Sequence, residues 1–162
     1  MKAIFLDIDG VIVTPDSMRK NYVLGLGAET QIYDNVALMY VGRLAELTGA
    51  KVVLSSTWRE DLDSKDPYLS AVIGNLRRQL EAVGAPLYDV TPRLPSGDRS
   101  AEIGAWLDEH PCSEYVIIDD LARFEERPEI CEGHLVIVED SGGVRQQHYR
   151  EALAILGKTP DR

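Results

Sequence analysis

The residues best placed to do chemistry are acidic and closely spaced. Asp7-Ile8-Asp9-Gly10 sets two carboxylates two positions apart, directly after the apolar run Ala3–Leu6. A strand points alternate side chains to one side, so Asp7 and Asp9 share a side if the extension continues. Confined carboxylates repel unless a proton or a cation sits among them. A second acidic pair, Asp119-Asp120, follows the apolar run Tyr115–Ile118. Such an oxygen donor set suits a hard cation. Magnesium, which takes a few carboxylates plus waters and phosphate oxygens, fits better than calcium, whose loop spacing is missing. Taken alone, Asp7-Ile8-Asp9-Gly10 is also the composition of a turn after a strand.

Along the chain, apolar runs alternate with amphipathic segments. Val52–Leu54 ends in Ser55-Ser56-Thr57, Leu87–Val90 reads as a weaker strand, and Leu135–Val138 as a fifth strand. Asp34 caps a helix with Val36, Tyr40, Leu44 and Leu47 on one face, closed by Gly49. Asp66-Pro67 starts another, with a stripe of Leu69, Val72, Ile73, Leu76, Leu80 and Val83 ended by Gly84. A shorter helix from about Ser100 turns Ile103, Trp106 and Leu107 inward and stops before Pro111. Val144, Tyr149, Ala152, Leu153 and Leu156 mark a final helix ending at Gly157. Nearly continuous apolar strands alternating with helices predict an α/β, three-layer, mainly parallel five-stranded sheet covered on both faces. Ligands bind such sheets at the carboxyl ends of the strands. Asp7 and Asp9, Ser55-Ser56-Thr57, and Asp119 and Asp120 would then converge on one edge.

These motifs carry a resemblance. FLDIDGV resembles the first motif of the haloacid dehalogenase-like (HAD) phosphatase superfamily, and VVLSSTWR its second, a Ser or Thr at the end of strand two. Arg99 is similarly placed to the third motif's Lys or Arg, and VIIDD resembles the acidic fourth motif. The order also matches, over about residues 2–138. The resemblance implies a Rossmann-like fold and a magnesium-dependent phosphohydrolase. Asp7 would be the attacking carboxylate. Asp9 would protonate the leaving group and activate water, and its backbone carbonyl would join Asp7 and Asp119 around the metal, with Asp120 holding a metal-bound water or orienting neighbours. Ser55 would donate to a phosphate oxygen, with Ser56 or Thr57 as alternatives, and Arg99 would offset charge on the phosphate and on Asp7. An aspartate at position 9, where family ATPases carry threonine, favours phosphatases and phosphomutases.

Neither the interval from Val11 to Lys51 nor that from Trp58 to Arg99 has room for a large cap domain. The site is therefore expected to be open. SSTWR followed by a helical segment, with R-x-x-x-I-x-x-W-L before IIDD, resembles the HAD group of RNA repair proteins. It resembles more distantly the 3′-phosphatase domain of phage-type polynucleotide kinases. That implies a phosphate on a nucleic acid end. Arg59 would then contact a neighbouring phosphate, or form a surface ion pair; Trp58 would stack on a base, or pack.

The formal charge of −10 over 162 residues disfavours a large basic footprint for nucleic acid or an anionic membrane. A nucleotide or small phosphomonoester therefore stays beside the polymer end as substrate. No apolar run reaches the roughly 20 residues of a membrane span, and MKAIFLDIDG reads as a strand rather than a signal peptide. The expectation is one cytoplasmic domain over residues 1–162. Cys112 and Cys131 are expected to be reduced. His110, His134 and His148 are expected to be structural, and Arg19 and Lys20 solvated. The opposing reading is a catalytically quiet HAD-like module that binds a phosphorylated partner.

Overall fold

The computed structural model describes residues 1–121 and 124–158. Five parallel strands form one sheet: β1 (Lys2–Leu6), β2 (Lys51–Leu54), β3 (Leu87–Val90), β4 (Glu114–Asp119) and β5 (Leu135–Ile137), in the spatial order β3-β2-β1-β4-β5. Every pairing among the described residues is parallel. The chain builds outward from β1 to β3, then crosses back to place β4 on the other side of β1. That reversal puts the topological switch point between β1 and β4, where open parallel sheets leave a crevice at their carboxyl ends.

Alternation along the strands feeds two cores. Ile4, Leu6, Val52, Leu54, Val116, Ile118 and Val136 belong to one, with residues of α2 (Asn35–Thr48), α3 (Pro67–Ala82) and α5 (Gln146–Ile155). Ala3, Phe5, Val53 and Ile117 belong to the other, with Ile103 and Trp106 of α4 (Arg99–Glu109). Phe5 meets Trp106 and Tyr115 edge-on, at ring-centroid distances of 5.4 and 5.9 Å. The helices cover both faces, and the described residues include no large cap.

The predicted helix at Asp34 forms with the expected cap, Asp34 accepting from the Ala37 N–H, and ends at left-handed Gly49. Its buried face is rotated from the one read in the sequence. Ala37, Leu38, Val41, Leu44, Ala45 and Thr48 are buried, while Val36 and Leu47 are exposed. The small residues decide this. Gly42 lies so close to the Val83 backbone that a Cβ would collide with it, and a reading based on large apolar residues passes over such close approaches.

The stretch after Val13, to which the sequence reading assigned no helix, holds one, α1 (Pro15–Val23). Thr14 accepts from the Ser17 N–H and the Ser17 hydroxyl accepts from the Thr14 N–H, with Pro15 in the first turn. Arg19 and Lys20 pair with Asp16 at the exposed surface, as solvated residues do. No helix of the described residues is long and apolar enough to cross a membrane. Cys112 and Cys131 are free thiols.

Candidate active site

Strand register alone brings the first three groups together. Leu6 lies opposite Leu54 on one side and Ile118 on the other. The ladder runs one residue further: the Asp7 N–H donates to the Ile118 carbonyl at 3.0 Å and the Ser55 N–H to the Leu6 carbonyl at 2.9 Å. Asp7, Ser55 and Asp119 therefore emerge side by side at the carboxyl edge. One carboxylate oxygen from each of Asp7, Asp119 and Asp120 lies within 4.8 Å of the others.

Arg99 closes this group from α4. Its Nη1 donates to Asp7 Oδ1 at 3.3 Å and to Asp119 Oδ2 at 3.1 Å. Asp119 Oδ1 accepts from the Leu121 N–H at 2.9 Å, which fixes its rotamer. A cation in the first turn of a helix opposes the macrodipole; here the two carboxylates offset that cost. Asp98 caps the same helix through the Ala101 N–H, which holds Arg99 at a fixed height.

Beyond β1 the chain turns rather than extending. The Ile8 carbonyl accepts from Val11, Ile12 and Val13, and Gly10 takes a φ of +80°. A Cβ at Gly10 would run into the Asp120 carboxylate and the Ser141 hydroxyl, so this position needs glycine on two grounds. The turn separates Asp7 from Asp9. Asp7 is buried, while Asp9 is exposed and lies outside the three-carboxylate group. Asp9 Oδ2 instead accepts from Trp58 Nε1 at 2.9 Å. The extension expected beyond Asp7 does not continue: the chain turns at Gly10, and the two carboxylates have different partners.

Residues 3–149 match the family described as the HAD domain in Swiss Army Knife RNA repair proteins. The chain belongs to this family. No curated protein matches it.

The electrostatics of this HAD domain follow from burial. Asp7 and Asp119 share one guanidinium, and the Asp120 carboxylate lies close to both. Burial first, then repulsion from Asp119, pushes the Asp7 carboxyl up to about 7 against the pull of Arg99. Burial also raises Asp119, opposed by Arg99 and the Leu121 N–H. A cluster short of positive charge can take a proton or a divalent cation. An all-oxygen donor set of carboxylates fits a hard cation.

Ser55 is almost fully buried, and its Oγ has no hydrogen-bond partner. A buried hydroxyl left unpaired is costly, and this one follows β2 beside the Asp7 position at the sheet edge. Ser56 faces differently. Its hydroxyl accepts from the Trp58 N–H at 3.4 Å, capping the 3₁₀ turn Thr57–Asp61.

Arg59 is buried. Its Nη2 pairs with Glu102 at 2.6 Å and its Nη1 donates to the Ser56 carbonyl at 2.8 Å. Trp58 packs at 6.2 Å from Tyr33 while holding Asp9. Glu102 itself is a residue that sequence reasoning missed. It is 1% exposed, pairs with Arg59, and accepts from the Leu94 N–H at 3.1 Å. One turn after Arg99, it ties the end of β2 and the segment after β3 to the same helix. Only its position, i+3 from Arg99 on a helix otherwise apolar on that side, hinted at this.

The turn after β5 also reaches the edge. Ser141 donates to Asp120 Oδ2 at 3.3 Å, and the Gly143 N–H donates to the Gly10 carbonyl at 3.0 Å. Asp140 and Ser141 both take left-handed conformations, with φ of 55° and 52°. Such strain in non-glycine residues concentrates at functional sites. The histidines lie elsewhere: His110 stacks on Trp106, His134 on Tyr115, and His148 pairs with Glu139.

Proposed function

We propose that this HAD domain is a magnesium-dependent phosphomonoester hydrolase that works through a phosphoryl-aspartate on Asp7. One observation carries the reading: a carboxyl cluster with too little positive charge lies beside a buried, unpaired serine hydroxyl at the switch point of a parallel sheet. Asp7, Asp119 and Asp120, with the Asp9 carbonyl, would hold the ion. Bound there, magnesium supplies charge neutralisation for the phosphoryl oxygens.

The chain's own residues do the rest. Ser55 Oγ donates to a phosphoryl oxygen, and Arg99 draws charge from the phosphate while orienting Asp7. An Asp7 carboxylate oxygen attacks phosphorus in line. The bond from phosphorus to the leaving oxygen breaks, and Asp9 gives that oxygen its proton. In the second half, water attacks the same phosphorus and Asp9 takes back a proton. The phosphorus–Asp7 bond breaks, releasing inorganic phosphate and restoring both carboxylates.

The family's description points to RNA repair, and an open site without a large cap suits a bulky substrate. A phosphate on a nucleic acid end, or on a nucleotide, is the substrate class we favour. The test is hydrolysis of a generic aryl phosphate with and without magnesium, by the wild type and by Asp7→Asn. Magnesium-dependent turnover lost in the variant is expected. Turnover by purified Asp7→Asn at the wild-type rate would overturn the mechanism. Absence of turnover across a broad phosphomonoester panel would favour a phosphate-binding module instead.

A further inference from the structure

Arg99 stands between two cavities of opposite character. One, of about 210 Å³, is lined by Thr57, Arg59 and Glu60 from the end of β2, by residues 93–97, and by Arg99 and Glu102. The other, of about 370 Å³, is lined among the described residues by Ser96, Gly97, Asp98, Arg99, Leu121, Glu125 and Glu126. Residues 96–97 separate the two. The larger cavity sets Asp98, Glu125 and Glu126 against the single charge of Arg99. The smaller sets Arg59, Arg93 and Arg99 against Glu60 and Glu102.

Within the smaller cavity the anionic side chains are already engaged. Glu102 is fully buried, with one oxygen on Arg59 and the other on the Leu94 N–H. It therefore presents no open carboxylate to a ligand. Arg59 Nε is buried without a partner, so the wall retains an unpaired donor. Glu60 pairs with Arg93 at 3.2 Å, with side chains 39% and 69% exposed. A pair this exposed is screened by water and worth little. Arg93 can exchange it for a more strongly charged oxyanion at small cost.

We propose that this cavity binds a second phosphate group of the substrate, with Arg93 as the contacting side chain. The inference rests on the phosphohydrolase reading of the neighbouring site. It adds a direction: a substrate with its reacting phosphate at Ser55 and Asp7 runs its remaining charge past Arg99 toward Arg93, away from Glu125 and Glu126. The second phosphate is a phosphodiester in a polynucleotide end and a phosphomonoester in a nucleoside bisphosphate. Both share the chemistry that Arg93 recognises.

The experiment compares kcat/KM of the wild type, Arg93→Ala and Arg93→Glu on four kinds of substrate. These are an aryl phosphate, a nucleoside 3′-monophosphate, a nucleoside 3′,5′-bisphosphate, and dinucleotides phosphorylated at the 3′ or 5′ end. Loss of one charge-assisted contact should cost the two-phosphate substrates about tenfold more than the aryl phosphate in Arg93→Ala, and more again in Arg93→Glu. The same extra penalty on bisphosphate and dinucleotide supports recognition of phosphate charge. A penalty on the dinucleotides alone supports recognition of the diester. Equal penalties on one- and two-phosphate substrates, or none on either, overturn the proposal. Wild-type hydrolysis of the aryl phosphate tests the phosphohydrolase reading separately. Should that fail, calorimetric binding of the phosphorylated dinucleotides to wild type and Arg93→Ala still decides the cavity's role, with equal affinities overturning it.

Discussion

Asp34 and Asp7 are both buried aspartates that face an arginine, yet the fold treats them in opposite ways. Asp34 is fully matched. Arg145 donates to both its oxygens, at 2.9 and 2.8 Å, and the Ala37 N–H and Thr14 hydroxyl add further bonds. Burial pushes the Asp34 carboxyl up, but Arg145, Ala37 and Thr14 outweigh it and hold it below its ordinary value. Asp7 shares one guanidinium with Asp119, has Asp120 close by, and sits next to an unpaired serine hydroxyl. It is raised to about 7. A matched cluster stabilises the fold. An unmatched one is held in place by the surrounding structure and is a candidate for binding or catalysis.

Substitution separates the two most sharply. Asp7→Asn should reduce turnover by about 10³-fold or more, with the metal-free thermal midpoint held or raised, because a repelling charge is gone. Asp34→Asn should do the reverse. It keeps most turnover and loses about 1–2 kcal/mol of stability, a buried-pair cost discounted because Arg145 is partly exposed. Denaturant titration and aryl phosphate assays on both variants check this. Loss of stability in Asp7→Asn equal to that in Asp34→Asn would erase the contrast.

A smaller effect comes from the metal. Magnesium at ten times its dissociation constant should stabilise the wild type by about 1.4 kcal/mol. It should raise the thermal midpoint of Asp34→Asn similarly and that of Asp7→Asn much less. Scanning calorimetry with magnesium or a chelator measures it, and an equal rise in Asp7→Asn would place the ion elsewhere.

The two aspartates should also differ in the sign of their pH dependence. The ordinary aspartate value is 3.8, and Asp7 sits at about 7 in the folded chain. Between those values the folded, metal-free protein holds a proton at Asp7 that the unfolded chain has released. This contribution is full below 3.8 and lost as pH rises through about 7. Asp34 lies below 3.8 when folded, so its contribution is present above 3.8 and lost as pH falls through its folded value. Metal-free midpoints measured against pH should therefore lose their fall toward neutral pH in Asp7→Asn and their acid-side fall in Asp34→Asn. An unchanged profile in Asp7→Asn would contradict the unmatched cluster.

The smallest effect concerns Trp58, which joins the reactive region to the packed one. Trp58→Phe keeps a ring against Tyr33 but removes the donor to Asp9. Turnover of alkyl phosphates, whose leaving oxygen needs a proton, should fall about three- to tenfold more than that of an aryl phosphate. Equal falls would assign Trp58 to packing alone.

Read by itself, the sequence determined the α/β class, the five strands, most helix limits and the family resemblance. Apolar runs, Asp caps and Gly stops are local signals, and local signals survive in one dimension. It also named Asp7, Ser55-Ser56-Thr57, Asp119 and Asp120, because they end or follow strands, and Arg99 through the family resemblance. It missed the helix in residues 15–23, although Thr14-Pro15 announces one, and it set the α2 face on its large residues instead of its small ones. Only the tertiary structure could bury Asp7 and leave Asp9 exposed on Trp58, with the turn at Gly10 packed against Asp120 and Ser141. Only the tertiary structure could give Arg59 its buried partner Glu102, 43 positions away, and set an arginine-lined cavity beside an acidic one. Those pairings depend on distances across the fold, and no periodicity along the chain encodes them.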